Sequence, residues 1–277
     1  VTGRRVVVVG QLARDVVLGI DELPEAGTSG DVSQRRETLG GKGANQAVAV
    51  AQLGLPVSLV AVAGDDVIGD QLLAQAAADG IDVTPVVRRA GTLTGLIVEV
   101  LESGGQWRYL QHLPEEVLLS VADVEAAAGV LGAADAVLVQ LQQPPAAALA
   151  AARLARAADA LVVLDGVADR EIIALADVVR ADENEAEQIG DARELLSAGP
   201  RLVAFGVPDG DRFVWEGGDL VIPHPEGRVV DTTGAGDAFT AALTVALLDG
   251  ATPEEAAHRA VEAAGKTVGR PGGRPRL

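Results

Sequence analysis

Residues 229–243 read VVDTTGAGDAFTAAL, with two glycines and an aspartate wedged between an apolar start and a helical run. Gly234, Ala235 and Gly236 ahead of a helix make a nest of backbone N–H groups, and the helix dipole adds to its pull on an anion. Asp237 falls in the first turn of that helix, where negative charge is favoured. Ionised there, it can take a proton from a hydroxyl held beside it. A transferring phosphoryl group needs donors for its oxygens, a metal for its charge and a base for the nucleophile. The bland alternative is a helix-capping aspartate with no chemistry.

A second glycine cluster, LGGKGANQAVAVAQLG at residues 39–54, also leads into a helix. Gly40, Gly41 and Gly43 permit close backbone approach, and Lys42 and Asn45 add side-chain donors, a set that suits a hydroxyl-rich ligand. A plain turn into a helix is the alternative for this stretch. Gly265-Lys266-Thr267 ends like a P-loop but lies in a helical pattern and lacks the first glycine of the motif, where Ala260 stands. GQLARD follows the first strand, so the dinucleotide fingerprint is absent. His112, His224 and His258 are scattered, without metal-ligand spacing.

These residues must be held by a framework, and the framework is legible. Continuously apolar runs at residues 5–10, 57–62, 136–140, 161–165 and 201–205 read as strands buried on both faces. Ala-rich helical segments alternate with them. Ala44, Ala47, Val48 and Ala51 form one stripe that Gly54 closes, while Ser120 with Asp123 and Thr252 with Glu255 read as capping boxes. The class is α/β, with a mostly parallel sheet between helical layers. Residues 15–39 and 94–112 break the rhythm and read as a small antiparallel appendage over the ligand edge of the sheet.

Composition narrows the function. The 277 residues carry a net charge of −18, which opposes a nucleic-acid partner, while a small phosphorylated ligand needs only a local positive pocket. There is no cysteine, hence no thiolate chemistry, and apolar runs are too short to span a bilayer. The expectation is a cytoplasmic protein without a membrane partner.

Together GGKGANQAVA and DTTGAGDAF, with GDDVIGD at 64–70, Thr94-Gly95 and NEAE at 184–187, resemble the paired signatures of the ribokinase/PfkB carbohydrate kinase family over about residues 4–273. The resemblance implies a single ribokinase-like α/β/α domain over 1–277, with a β-sheet lid from the two insertions that often serves as a dimer clasp. It implies Mg·ATP as donor and a hydroxyl of a small sugar, ribose or a related pentose, as acceptor. By position, Asp237 resembles the base and Gly234, Ala235 and Gly236 the anion hole. Asp15, Gly41, Lys42, Asn45 and Gln142 match sugar-side positions, and Asp182, Gly206, Gly210 and Gly236 nucleotide-side ones. Asp182 and Glu185 match water-mediated Mg²⁺ holders. Asp231, Thr233, Thr267, Arg270 and Gly272 match a monovalent-cation site for K⁺.

Four positions depart from the family pattern. Ala13 stands for an asparagine, Gln142 for a glutamate, Asp182 for an asparagine and Ala204 for a threonine. The alternatives are therefore a nucleoside or phosphosugar kinase, the latter with Arg14, Arg35, Arg36 and Arg108 as candidate cations, or a non-catalytic sugar- or nucleotide-sensing protein.

Overall fold

The computed structural model describes residues 3–224, 232–269, 274, 275 and 277. In chain order, β1 (Val6–Val9) leads into the long strands β2 (Ala13–Ile20) and β3 (Val32–Gly40) and then α1 (Lys42–Gln52). There follow β4 (Val57–Val60), β5 (Val62–Gly64), α2 (Val67–Ala78), β6 (Ile81–Asp82), β7 (Val87–Arg89) and the hairpin of β8 (Leu96–Glu102) and β9 (Trp107–His112). Two short helices, α3 (Val121–Ala126) and α4 (Ala128–Leu131), precede β10 (Ala136–Gln140), α5 (Pro145–Ala157), β11 (Leu161–Asp165), α6 (Arg170–Ile173) and β12 (Val178–Ala181). The chain continues through α7 (Glu183–Ile189), α8 (Ala192–Leu196), β13 (Leu202–Val207), β14 (Gly210–Trp215) and β15 (Gly218–Pro223), then α9 (Ala235–Leu248) and α10 (Pro253–Val268).

The main sheet has the order β15-β14-β13-β12-β11-β10-β1-β4-β6, parallel from β13 to β6. Its continuous apolar runs reflect burial on both faces. Val6 and Val8 pack into the layer of α1, α2, α9 and α10, whereas Val7 and Val9 pack into the layer of α3, α5, α6 and α8. Each fully buried Val or Leu contributes roughly 1.5–3 kcal/mol, so the alternating contacts of one strand already hold both layers. This is the three-layer arrangement expected from the pattern. Gly54 has φ 86°, and the capping boxes at Ser120 and Thr252 are both formed.

Two features go beyond the run pattern. The apolar run 57–62 divides at Ala61, with β4 in the main sheet and β5 paired with β7 in a separate two-stranded sheet. The hairpin β14–β15 extends the main sheet antiparallel, and its polar residues Asp211, Arg212 and Asp219 disguise it in a search for apolar runs.

The lid is a four-stranded sheet of order β3-β2-β8-β9, starting at Ala13, and it is mixed rather than antiparallel throughout: β2–β3 and β8–β9 are antiparallel, while β2 and β8, one from each insertion, pair in parallel. Strand alternation sorts its side chains. Asp15, Val17, Ile97, Glu99 and Tyr109 line the cavity and Arg14, Val98 and Leu110 alternate with them, Val16 being the exception that also reaches the cavity wall.

Glycine at 10 and 43 lets α1 press backbone to backbone against the end of β1. A Cβ on Gly43 would stand 2.6 Å from the carbonyl carbon of Gly10, and Ala44 N–H donates to the Gln11 carbonyl at 3.0 Å. Gly43→Ala is expected to lower unfolding stability by about 1–3 kcal/mol in urea denaturation, the range for overpacking an interior contact. An unchanged midpoint would mean that the two backbones are not held together by packing.

Candidate active site

The cavity, of about 650 Å³, opens at the carboxyl ends of the parallel strands under the lid. Open α/β sheets bind ligands where the strand order reverses, and β1 is such a point, since the chain builds outward from it through β4 on one side and β10 on the other. Gln11, just past β1, and Gln142, just past β10, both line the cavity, and Gln11 Nε2 donates to the Gln142 carbonyl at 2.9 Å.

At the centre stands Asp237, 5% exposed, in the first turn of α9. Burial first, and then the Asp165 carboxylate, raise its pKa to about 7 against the pull of Lys42, Arg180 and a hydrogen bond from Asn45. Gln46, fully buried, donates to Asp165 Oδ2 at 2.7 Å and to Asp237 Oδ1 at 3.3 Å. Before it, Gly234 caps α9 in the left-handed conformation, φ 76°. The helix's own bonding begins with Ala238 N–H to the Gly234 carbonyl at 3.0 Å, and Ala235 N–H makes a turn bond to the Thr232 carbonyl at 3.3 Å. Gly234, Ala235 and Gly236 all line the cavity with Asp237.

The acceptor-side residues converge on the same space. Asp15, Gly41, Lys42, Asn45 and Gln142 line the cavity with Asp237. Asp15 Oδ1 is withdrawn from solvent and has no hydrogen-bond partner among the described residues, and the same is true of Asn45 Oδ1. Burial first, then the charges of Asp237 and Glu99, raise Asp15 to about 7, opposed by a backbone hydrogen bond from Gly41. Burial depresses Lys42, but Asp165, Glu185 and Asp237 outweigh it and leave the ammonium above its ordinary value.

The nucleotide-side expectations divide. Asp182 lines the cavity at the start of α7 and caps it, with Oδ1 accepting from Glu185 N–H while Glu185 Oε2 accepts from Asp182 N–H, both at 2.9 Å. Glu185 Oε1 lies 3.5 Å from Lys42 Nζ. Gly206 and Gly210 are not in the cavity wall, and packing explains both: an added Cβ would lie 2.9 Å from Glu183 N and 2.2 Å from the Ile222 carbonyl oxygen, respectively. The departures Ala13 and Ala204 are buried in the interior rather than at the cavity.

Of the monovalent-cation positions, Asp231, Arg270 and Gly272 lie outside the described residues. Thr233 lines the cavity, and its Oγ1 is 2.5 Å from the Tyr109 hydroxyl. Thr267 is buried and its hydroxyl donates back to the Ala263 carbonyl at 3.1 Å. Among the described residues no group of three or more His, Cys, Asp or Glu is placed to hold a metal, and no helix is long and apolar enough to cross a membrane.

The glycine and motif pattern does not reveal Gln11, Gln46, Glu99, Tyr109, Asp165 or Arg180. Two of them carried a signal, because Asp165 and Arg180 are polar residues at the carboxyl ends of apolar parallel strands, where such a sheet binds.

The whole constellation has relatives. Residues 4–277 match the model of the pfkB family carbohydrate kinases. The chain belongs to that family. Two curated proteins are similar to it over nearly their full length: the ribokinase of Bacillus subtilis, 30% identical over 98% of this chain and 96% of that one, and the ATP-dependent ribose-1-phosphate kinase of Halopiger xanaduensis, 31% identical over 98% and 94%. The chain spans about half, 48%, of a bifunctional ribokinase/ribose-5-phosphate isomerase A from Fructilactobacillus sanfranciscensis. Among solved structures, Arabidopsis thaliana ribokinase complexed with ribose and ATP superposes with a TM-score of 0.81 at 28% identity, covering 98% of this chain and 94% of that one. As pfkB carbohydrate kinases are, this protein is a phosphotransferase with an alcohol acceptor.

The sign of the pH dependence follows from Asp237 and Asp15. A base works deprotonated, so kcat/KM, which reports the free enzyme, should rise with pH through about 7. Stability should move the other way. Both carboxyls hold a proton in the folded state that the unfolded chain, at the ordinary value of 3.8, has already lost, so stability falls as pH rises from about 4 through 7. Asp237→Asn removes that penalty, and its melting-temperature gain over the parent should be larger at pH 8 than at pH 5. A gain independent of pH would contradict the raised pKa.

Proposed function

We propose that the protein is an ATP-dependent sugar kinase that phosphorylates a hydroxyl of a small neutral sugar, ribose or a related pentose. The observation that carries the acceptor is the charge of the sugar end of the cavity. The charges of Asp237 and Glu99 both act on Asp15 there, and these acidic groups are suited to bond with sugar hydroxyls and to disfavour an added phosphate. Asn45 and Gln11 supply further polar groups from below. The acceptor oxygen bonds to the γ-phosphorus, the bond from phosphorus to the β-bridging oxygen breaks with its electron pair left on ADP, and the hydroxyl proton passes to Asp237. The Gly234–Gly236 backbone supports the charge of the transferred group.

Asp182 fits Mg²⁺: it lines the cavity and keeps one carboxylate oxygen outside the capping box, and Mg²⁺ is held by one or two carboxylates together with waters and substrate phosphates. Glu185 fits less well, since it is outside the cavity wall, with Oε2 in the capping box and Oε1 3.5 Å from Lys42 Nζ. Bound there, the ion would supply neutralisation of the nucleotide's phosphate charge. Thr233 would support a monovalent cation through its backbone carbonyl, while its hydroxyl bonds with that of Tyr109. K⁺ is included in the assay on that footing.

A phosphosugar acceptor has a narrower base. Arg14 and Arg35 pair with Glu37, and Arg108 with Glu102. Arg36 alone of the four stands opposite a cavity-wall residue, Val17. ADP release from Mg·ATP, with and without K⁺, across ribose, other pentoses, hexoses, ribose 1-phosphate, fructose 6-phosphate and nucleosides tests the reading. Ribose or a related pentose should give the highest kcat/KM, and Asp237→Asn should lower turnover by about 10²- to 10⁴-fold, the usual worth of a positioned base. A preference for phosphosugars would overturn the acceptor, and unchanged turnover in Asp237→Asn would overturn the base.

The lid also supports assembly as a homodimer. β3 and β9 are its edge strands, and Leu110 is 63% exposed while Val32 is 48% exposed. Unpaired strand edges beside apolar surface favour pairing with a second copy. Sedimentation should give a dimer, and Leu110→Lys should shift it to monomer; a parent monomeric throughout would remove the proposal.

A further inference from the structure

We propose that Arg180 is a further catalytic residue, whose guanidinium donates hydrogen bonds to the phosphoryl group during transfer. The inference rests on the kinase reading of the cavity and adds a residue to it. Arg180, next to last in β12, enters the cavity wall with 13% of its side chain exposed. It lies against the glycine turn itself. A Cβ on Gly236 would meet Arg180 Nη2 at 2.8 Å, Nη1 at 3.0 Å and Cζ at 3.1 Å, so the face of the guanidinium covers the glycine of the anion hole. Glycine at 236 therefore admits the arginine as well as the phosphate.

The side chain is held in place from three sides. Nη1 donates to Asp165 Oδ1 at 2.9 Å, and Asp165 is 2% exposed and tied through Oδ2 to Gln46. Cζ stands 5.7 Å above the Phe239 ring, which stacks on Phe213. A guanidinium carries five N–H donors, and among the described residues Asp165 engages one nitrogen, leaving Nη2 on the Gly236 side. The acidic groups facing it are Asp165, Glu185, Asp237 and, from β14, Asp211, with Lys42 the neighbouring cation. A preorganised planar donor beside a backbone anion hole is what the spread charge of a phosphoryl transition state favours. In the step itself the acceptor oxygen bonds to γ-phosphorus, ADP leaves with the bridging electron pair, and the proton goes to Asp237. Arg180 gains and loses no proton.

The rival role is a counter-ion that only neutralises Asp165. Arg180→Gln and Arg180→Lys are compared with the parent in sugar-dependent ADP release, together with the double variant Arg180→Gln/Asp165→Asn, which replaces the buried pair by a neutral one. Removing a transition-state donor costs about 10²- to 10³-fold. Arg180→Gln should lose that much kcat with the sugar KM within about threefold, Arg180→Lys should keep part of it, and added guanidinium should restore activity to the glutamine variant. Calorimetry supplies a readout apart from turnover: aluminium fluoride should tighten ADP binding in the sugar-loaded parent and not in Arg180→Gln. The double variant should remain as slow as Arg180→Gln. Restored kcat in the double variant, or an undiminished aluminium fluoride effect, would overturn the proposal. A parent that releases no ADP with any sugar would instead remove the kinase reading on which it rests.

Discussion

Two carboxylates buried close together cannot both stay charged unless cations are buried with them, and the site is built around that constraint. Asp237 must lose its proton to act, yet burial and the neighbouring Asp165 favour the neutral form. Arg180 and Lys42 offset the repulsion, and each is anchored elsewhere, Arg180 on Asp165 and Lys42 beside Glu185. Removing one member of such a buried pair leaves an uncompensated charge, a cost usually greater than the net worth of the intact pair. The strand ends that deliver Asp165 and Arg180 to adjoining positions are thus as necessary to the base as the turn that carries it.

The lid is tied to the same centre. Tyr109 on β9 meets Thr233 at 2.5 Å, one residue before the glycine that caps α9, and Glu99 on β8 contributes to the raised pKa of Asp15. A sheet 124 residues away in sequence from the turn thereby shares in its geometry and its field. Water excluded by that cover would strengthen every charge interaction beneath it. Ordering the lid and fixing the proton affinity of the carboxylates are consequently linked in one structure.

Much of this was legible from residue order alone. The valine runs at 6–9 and 136–140 could only be strands buried on both faces, and the two insertions with alternating polarity could only be a sheet with its own faces. Asp237 and the glycine turn stood out because the spacing of their residue types has a physical purpose. Arg180 and Asp165 carried a weaker signal, since a polar residue near the end of an apolar strand looks much the same whether it faces a ligand or solvent. Their meaning depends on the register that sets Asp165 beside Arg180 across β11 and β12, and register is a long-range property.

The glycines show the limit from the other side. Gly206 and Gly210 match a nucleotide-binding pattern, yet what crowds them is the start of α7 and the β15 backbone. Gly43 clears the end of β1, and Gly236 clears Arg180. At each position the missing Cβ answers a steric demand of the protein's own interior before any ligand arrives. A glycine motif therefore marks where backbones approach closely, and whether that approach serves binding is decided by what else reaches the same space. At Gly236 an arginine, a carboxylate and the first turn of a helix all reach it; at Gly210 only a neighbouring strand does.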